Sequence, residues 1–110
     1  MQKAVEAFIK KYQLSGGTSI RYIDLVSEIG ELGKEILKES NYGKMDEAQS
    51  PEKAGKCKFS EDTVIEMGDC LFSLLALCCE MNINAEDALQ AVLKKYELRF
   101  ESKGEIGSGN

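Results

Sequence analysis

The sequence predicts an all-α domain, a four-helix bundle whose core is completed by association with further copies of the chain. Three observations carry that reading. Apolar residues recur at helical rather than alternating spacing along most of the chain, so no strand is expected. Glycine, serine and asparagine clusters divide this pattern into four segments. The third segment is apolar nearly all round, with Ser73 its one polar residue between Leu71 and Cys79, and in a chain of 110 residues a second subunit is expected to help cover it.

The first helix is predicted over about residues 2–13, from Val5, Phe8, Ile9 and Tyr12, and the Ser15-Gly16-Gly17 cluster ends it. A second runs from Ser19 to Glu39 with Thr18 or Ser19 as N-cap. Its core stripe uses Ile20, Ile23, Leu25, Ile29, Leu32, Ile36 and Leu37. Residues 40–59 hold the only proline, two glycines and four lysines without sustained periodicity, and read as a loop with at most one helical turn. Ser60, Glu61 and Asp62 start the third helix, with acids in the first turn where the helix dipole favours them, and it extends to about Met81. Asn84, Glu86 and Asp87 open the fourth. That helix turns Ala88, Leu89, Val92, Leu93, Tyr96 and Phe100 inward as far as about Glu101. The whole chain, 1–110, reads as one domain, with its chemistry in about 19–101 and a polar tail over 102–110.

Composition narrows the function. A net charge of −5 without a basic run argues against nucleic-acid polymers and anionic membrane surfaces as partners. No stretch approaches the roughly 20 apolar residues of a membrane span, and MQKAVEAFIKKYQ lacks the apolar core of a signal peptide. These features predict a soluble, cytoplasmic protein. Cys57, Cys70, Cys78 and Cys79 form no C-x-x-C pair and read as small buried hydrophobes in a reducing compartment. The absence of histidine removes His-based general bases, Ser-His and Cys-His nucleophile pairs, and the Glu-x-x-His ligand sets of di-iron bundles.

Against this background the acids are informative. Glu28 and Glu31, and then Glu66 and Asp69, lie three residues apart on the second and third helices, so each pair shares a face. Alone, the first pair reads as solvated surface, flanked by Asp24 and Glu35. The second pair sits at the start of the most apolar helix with no basic residue near it on that helix, and buried carboxylates without a counter-charge are costly. Lys34 and Lys38 are possible partners on the second helix. Side by side, the two helices would converge four oxygen ligands suited to Mg2+ or Mn2+. Gly30 and Gly68, one inside each pair, are expected to let the two backbones approach closely.

The order E-x-x-E then E-x-x-D, as SEIGELGKEI and IEMGDCLFSLLAL, resembles the MazG-type all-α nucleoside triphosphate pyrophosphohydrolases, and AVLKKYELRF resembles that family's segment behind the last acidic helix. The resemblance implies metal ligation and catalysis by Glu28, Glu31, Glu66 and Asp69, and phosphate contact by Lys95 and Arg99, which residue pattern alone would leave as a solvated edge. It further implies Mg2+, with Mn2+ as an alternative, a nucleotide substrate cleaved between its α and β phosphates, and a homodimer or homotetramer. Ser27 departs from the family pattern, in which a second glutamate often precedes the first motif. That leaves open whether the chain uses fewer metals, recruits Glu35 or Asp24 instead, or is slow. The lysine-bearing segment 44–58 is either a cover for the substrate or a connector. Tyr12, Tyr22, Tyr42 and Tyr96 are candidate base-stacking groups but read first as core. Two alternatives stand beside this reading: a phosphoribosyl-ATP pyrophosphohydrolase, and a non-catalytic acidic helical dimer that binds metal or a basic partner.

Overall fold

The computed structural model describes residues 1–40 and 57–103, which form four helices: α1 (Gln2–Tyr12), α2 (Thr18–Glu39), α3 (Glu61–Glu80) and α4 (Ala85–Lys103). There is no strand among the described residues. The four predicted helices are all present, with ends within about two residues of those read from the sequence, the ordinary uncertainty of a fraying terminus. The readings of the middle loop, apart from residues 40 and 57–59, and of the tail from residue 104 onward fall outside the described residues.

α2 and α3 form the principal packed pair, and α1 lies against α3. Phe8 of α1 meets Phe72 of α3 edge-on, with ring centroids 5.8 Å apart, and stacks at a tilt on Tyr12 at 4.9 Å. Edge-to-face geometry of this kind suits the ring quadrupoles. α4 packs along none of the other three helices.

The turns after α1 and α3 are built by the backbone. Asn82 takes the left-handed conformation (φ 57°) after α3, and the Ile83 and Asn82 N–H groups donate to the carbonyls of Cys78 and Cys79. That is the paired bonding of a Schellman motif, which satisfies carbonyls the helix end would leave open. Gln13 (φ 53°) closes α1 in the same way, with the Leu14 N–H donating to Ile9 O at 3.0 Å. α1 therefore ends before the glycine cluster. The cluster serves α2 instead, because Gly17 precedes it at φ 88°, where a side chain would be strained. Asn84 is the expected N-cap of α4, its Oδ1 accepting from the Asp87 N–H at 2.9 Å. The Gln2 side chain ties the start of the chain to this corner: its Nε2 donates to Ile83 O at 2.8 Å and its Oε1 accepts from the Ala85 N–H at 2.7 Å.

One sequence expectation about capping is corrected. Neither Thr18 nor Ser19 caps α2; Gly17 occupies that position, and its N–H donates to Oε1 of Glu80 at 2.7 Å. Ser60 is the N-cap of α3 as expected, but its hydroxyl does not bond its own helix. The Ser60 Oγ donates to Oε2 of Glu39 at 2.6 Å and the Ser60 N–H to Oε1 at 2.8 Å.

The predicted core stripes are also corrected. Leu75 and Ala76 on α3 are the buried apolar side chains among the described residues, and the stripe of α2 is nowhere fully covered, with Ile23 60% exposed. Ile20, Ile29 and Leu37 are likewise exposed on α2, as are Leu89, Leu93 and Phe100 on α4. The physical reason is geometric: α2 packs chiefly against α3, and α4 packs extensively against none of the described helices, so an amphipathic stripe meets a partner on a fraction of its width. The cysteines are free, three half-buried and Cys57 exposed, so none is a fully buried hydrophobe.

Candidate metal centre

The antiparallel pairing of α2 and α3 brings the two acidic motifs face to face. One carboxylate oxygen each from Glu28, Glu66 and Asp69 lies within 4.8 Å of the others. Glu28 and Glu66 are half-buried and Asp69 is exposed, so the cluster opens to solvent on one side. Glu31, the fourth residue expected here, is not one of the three converging ligands, although its charge reaches Glu66.

Electrostatics single out Glu66. Removal of water around it raises its carboxyl above the ordinary range, and the negative charges of Asp69, Glu28, Glu31 and Glu35 raise it further. Among the described residues the charges acting on it are all acidic, an excess of negative charge that a cation would relieve. The neighbouring Cys70 feels the same field: desolvation first, then Glu28, Glu66 and Asp69, push its thiol up. Cys70 is not one of the converging ligands, which leaves a set of hard oxygen donors that fits Mg2+ or Mn2+ better than a soft metal. Of the two acids considered as substitutes for the carboxylate missing at Ser27, Glu35 exerts its charge on Glu66, and Asp24 does not figure among those that do.

Other expectations fare differently. Among the described residues neither Lys34 nor Lys38 forms an ion pair, so neither compensates the acidic pairs. Lys95 lies over the ring of Tyr96, 5.2 Å from its centroid. Because α4 packs extensively along neither acidic helix, the described residues do not bring the Lys95 and Arg99 helix against the carboxylates. Tyr22 is exposed and Tyr96 half-buried.

Among the described residues the close approach expected at Gly30 and Gly68 is not found: a Cβ added at either position would meet nothing within 4 Å. With space available, alanine should strengthen each helix by up to about 1 kcal/mol through propensity. Gly30→Ala and Gly68→Ala are therefore expected to raise the thermal unfolding temperature of the metal-free protein, read by circular dichroism. A fall would mean that another copy of the chain approaches these glycines.

Sequence reasoning missed three residues. Arg21 is buried and its guanidinium donates to the carbonyl of Leu14. Glu39 and Glu80 lie at the last residues of α2 and α3 and bond the start of the opposite helix. A signal for the two acids was present: a carboxylate at a helix C-terminus opposes the helix dipole, so its occurrence there points to a partner elsewhere.

A family model described as the MazG nucleotide pyrophosphohydrolase domain matches residues 18–102. No curated protein matches the chain, and no solved structure does.

Proposed function

The chain belongs to the MazG nucleotide pyrophosphohydrolase family, and from that premise we propose that it hydrolyses the α–β phosphoanhydride of a nucleoside or deoxynucleoside triphosphate, giving the nucleoside monophosphate and pyrophosphate. The observation that carries this reading is the convergence of Glu28, Glu66 and Asp69 oxygens from two helices within 4.8 Å.

Glu28, Glu66 and Asp69 would hold Mg2+ or Mn2+, with Glu31 adding its charge beside them. Bound there, the ion would neutralise phosphate charge and make water a better nucleophile. The chain's own groups supply the rest. With no histidine present, the carboxylates are the proton acceptors of the site. The oxygen of water bonds to the α phosphorus, its proton passes to a carboxylate, and the bridging bond breaks to release pyrophosphate. Lys95 and Arg99 offset the leaving charge, the arginine through forked hydrogen bonds. Because α4 stands away from the acidic helices of its own protomer, that contact belongs to an assembled oligomer, in which the exposed apolar faces of α2, α3 and α4 are covered by further copies.

Pyrophosphate release from a panel of ribo- and deoxyribonucleoside triphosphates, with Mg2+, Mn2+ or EDTA, tests this. Release that requires metal and yields monophosphate in equal amount is the expected result. Turnover of phosphoribosyl-ATP alone would move the assignment to that enzyme class, and no turnover of either by folded, metal-loaded protein would leave a binding module.

A further inference from the structure

We infer that Glu39 and Glu80 are positioning residues for the acidic centre: from opposite ends of the α2–α3 pair, each grips the start of the other helix, and together they fix the axial register at which Glu28 meets Glu66 and Asp69. The inference rests on the metal-centre reading above. At one end, the carboxylate of Glu39 accepts from the Ser60 N–H at 2.8 Å, from the Ser60 hydroxyl at 2.6 Å and from the Thr63 hydroxyl. At the other, Glu80 accepts from the Gly17 N–H at 2.7 Å and from the Ser15 hydroxyl at 3.1 Å.

Each carboxylate opposes the dipole of its own helix and complements that of its partner, so the favourable term arises only when the two helices are docked. Bonding keeps both groups ionised. Ser60 and Thr63 hold the Glu39 carboxyl below the usual range, with Lys38 adding to the effect. The Gly17 N–H and the Ser15 hydroxyl do the same for Glu80, with Arg21 adding to it. A lowered carboxyl value means stability present above the ordinary carboxylate pKa and lost as pH falls through the lowered one.

The geometry makes register the quantity at stake. The run from Gly17 to Glu28 on α2 equals the run from Asp69 to Glu80 on α3, about 16 Å of helix in each case, so a grip at one end sets the level at which the acids meet. A slip of one helical turn moves a side chain about 5.4 Å, more than the whole separation of the three oxygens. Fully buried apolar side chains that would resist such a slip are few, Leu75 and Ala76 being the only ones among the described residues.

The test is Mn2+ binding to the full chain, followed by calorimetry and by the signal of free Mn2+ in electron paramagnetic resonance, at a temperature where circular dichroism shows each variant fully helical. Glu39→Gln and Glu80→Gln each replace an acceptor oxygen with a donor amide. Each is expected to weaken Mn2+ binding on the order of ten-fold, as residues that hold ligands in place do, while turnover at saturating Mn2+ returns to the wild-type value. A merely stabilising role would leave the Mn2+ affinity of the folded protein unmoved. Thr63→Val and Ser15→Ala remove one donor each without touching the carboxylates, and serve if a glutamine variant does not fold; the same direction of change is expected. Affinity within two-fold of wild type in all folded variants overturns the inference. Wild-type protein that takes up no Mn2+ overturns instead the metal-centre reading beneath it.

Discussion

Glu66→Gln and Asp69→Asn are each expected to lower pyrophosphate release by more than about a hundredfold while leaving the helices formed. Residues that only support a metal ligand cost 10–100-fold when removed, so loss of a ligand should cost at least as much. Stability should move the other way. The Glu66 carboxyl is raised by desolvation and by the charges of Asp69, Glu28, Glu31 and Glu35. A group whose folded value lies above its unfolded one destabilises the fold when ionised, and that penalty is relieved as pH falls through the raised value. Glutamine removes the charge altogether, so the metal-free variant should unfold at a higher temperature than wild type near neutral pH, and the difference should shrink on acidification. Added Mg2+ should stabilise the wild type and not the variants, since a ligand that binds only the folded form stabilises by mass action. Wild-type turnover in both variants would remove the carboxylates from the mechanism. Lost turnover with unchanged metal-free stability would keep them in it and disprove the repulsion argument.

What could be read from the sequence divides along the range of the interactions involved. Helix periodicity, the Ser60 and Asn84 caps and the i, i+3 pairing of the acids are local, and a local pattern is written in neighbouring residues. The convergence of Glu28 with Glu66 and Asp69 was legible as well, because a carboxylate pair at the start of a strongly apolar helix demands a counter-charge from outside it. The contacts of Glu39 and Glu80 were not, since each partner lies on the far side of a turn or loop and nothing in the intervening residues specifies it. The same limit explains Gly30 and Gly68. Their cost in helix propensity is local and visible, whereas no backbone among the described residues approaches either of them. The stripes on α2 and α4 likewise state that apolar faces exist without stating what covers them.

Association should produce the second large effect, through those same faces. Ile23 on α2 is 60% exposed, Ile65 on α3 is 62% exposed and Leu98 on α4 is 57% exposed, and Leu74 stands outward on α3 beside the buried Leu75. Single exposed apolar residues are unremarkable, but so many on three helices of one small chain are the basis for expecting contact there. The two readings of that surface differ sharply in what a charge would do. On a lone protomer, Ile23→Lys and Leu74→Lys are surface changes worth within about 0.5 kcal/mol. In an assembly each buries an unpaired ammonium, at a cost of several kcal/mol. We expect wild-type protein to run by light scattering at a multiple of its 12.2 kDa protomer mass, and both lysine variants to dissociate and lose helicity together. Because folding and association are then one equilibrium, the unfolding temperature of the wild type should rise with protein concentration. A wild-type chain that runs as a monomer with a concentration-independent transition, and lysine variants that match it, would show that the faces stay bare. Lys95 and Arg99 would then have no route to the phosphates through a second copy, and the phosphate-binding role would pass to other residues of the chain.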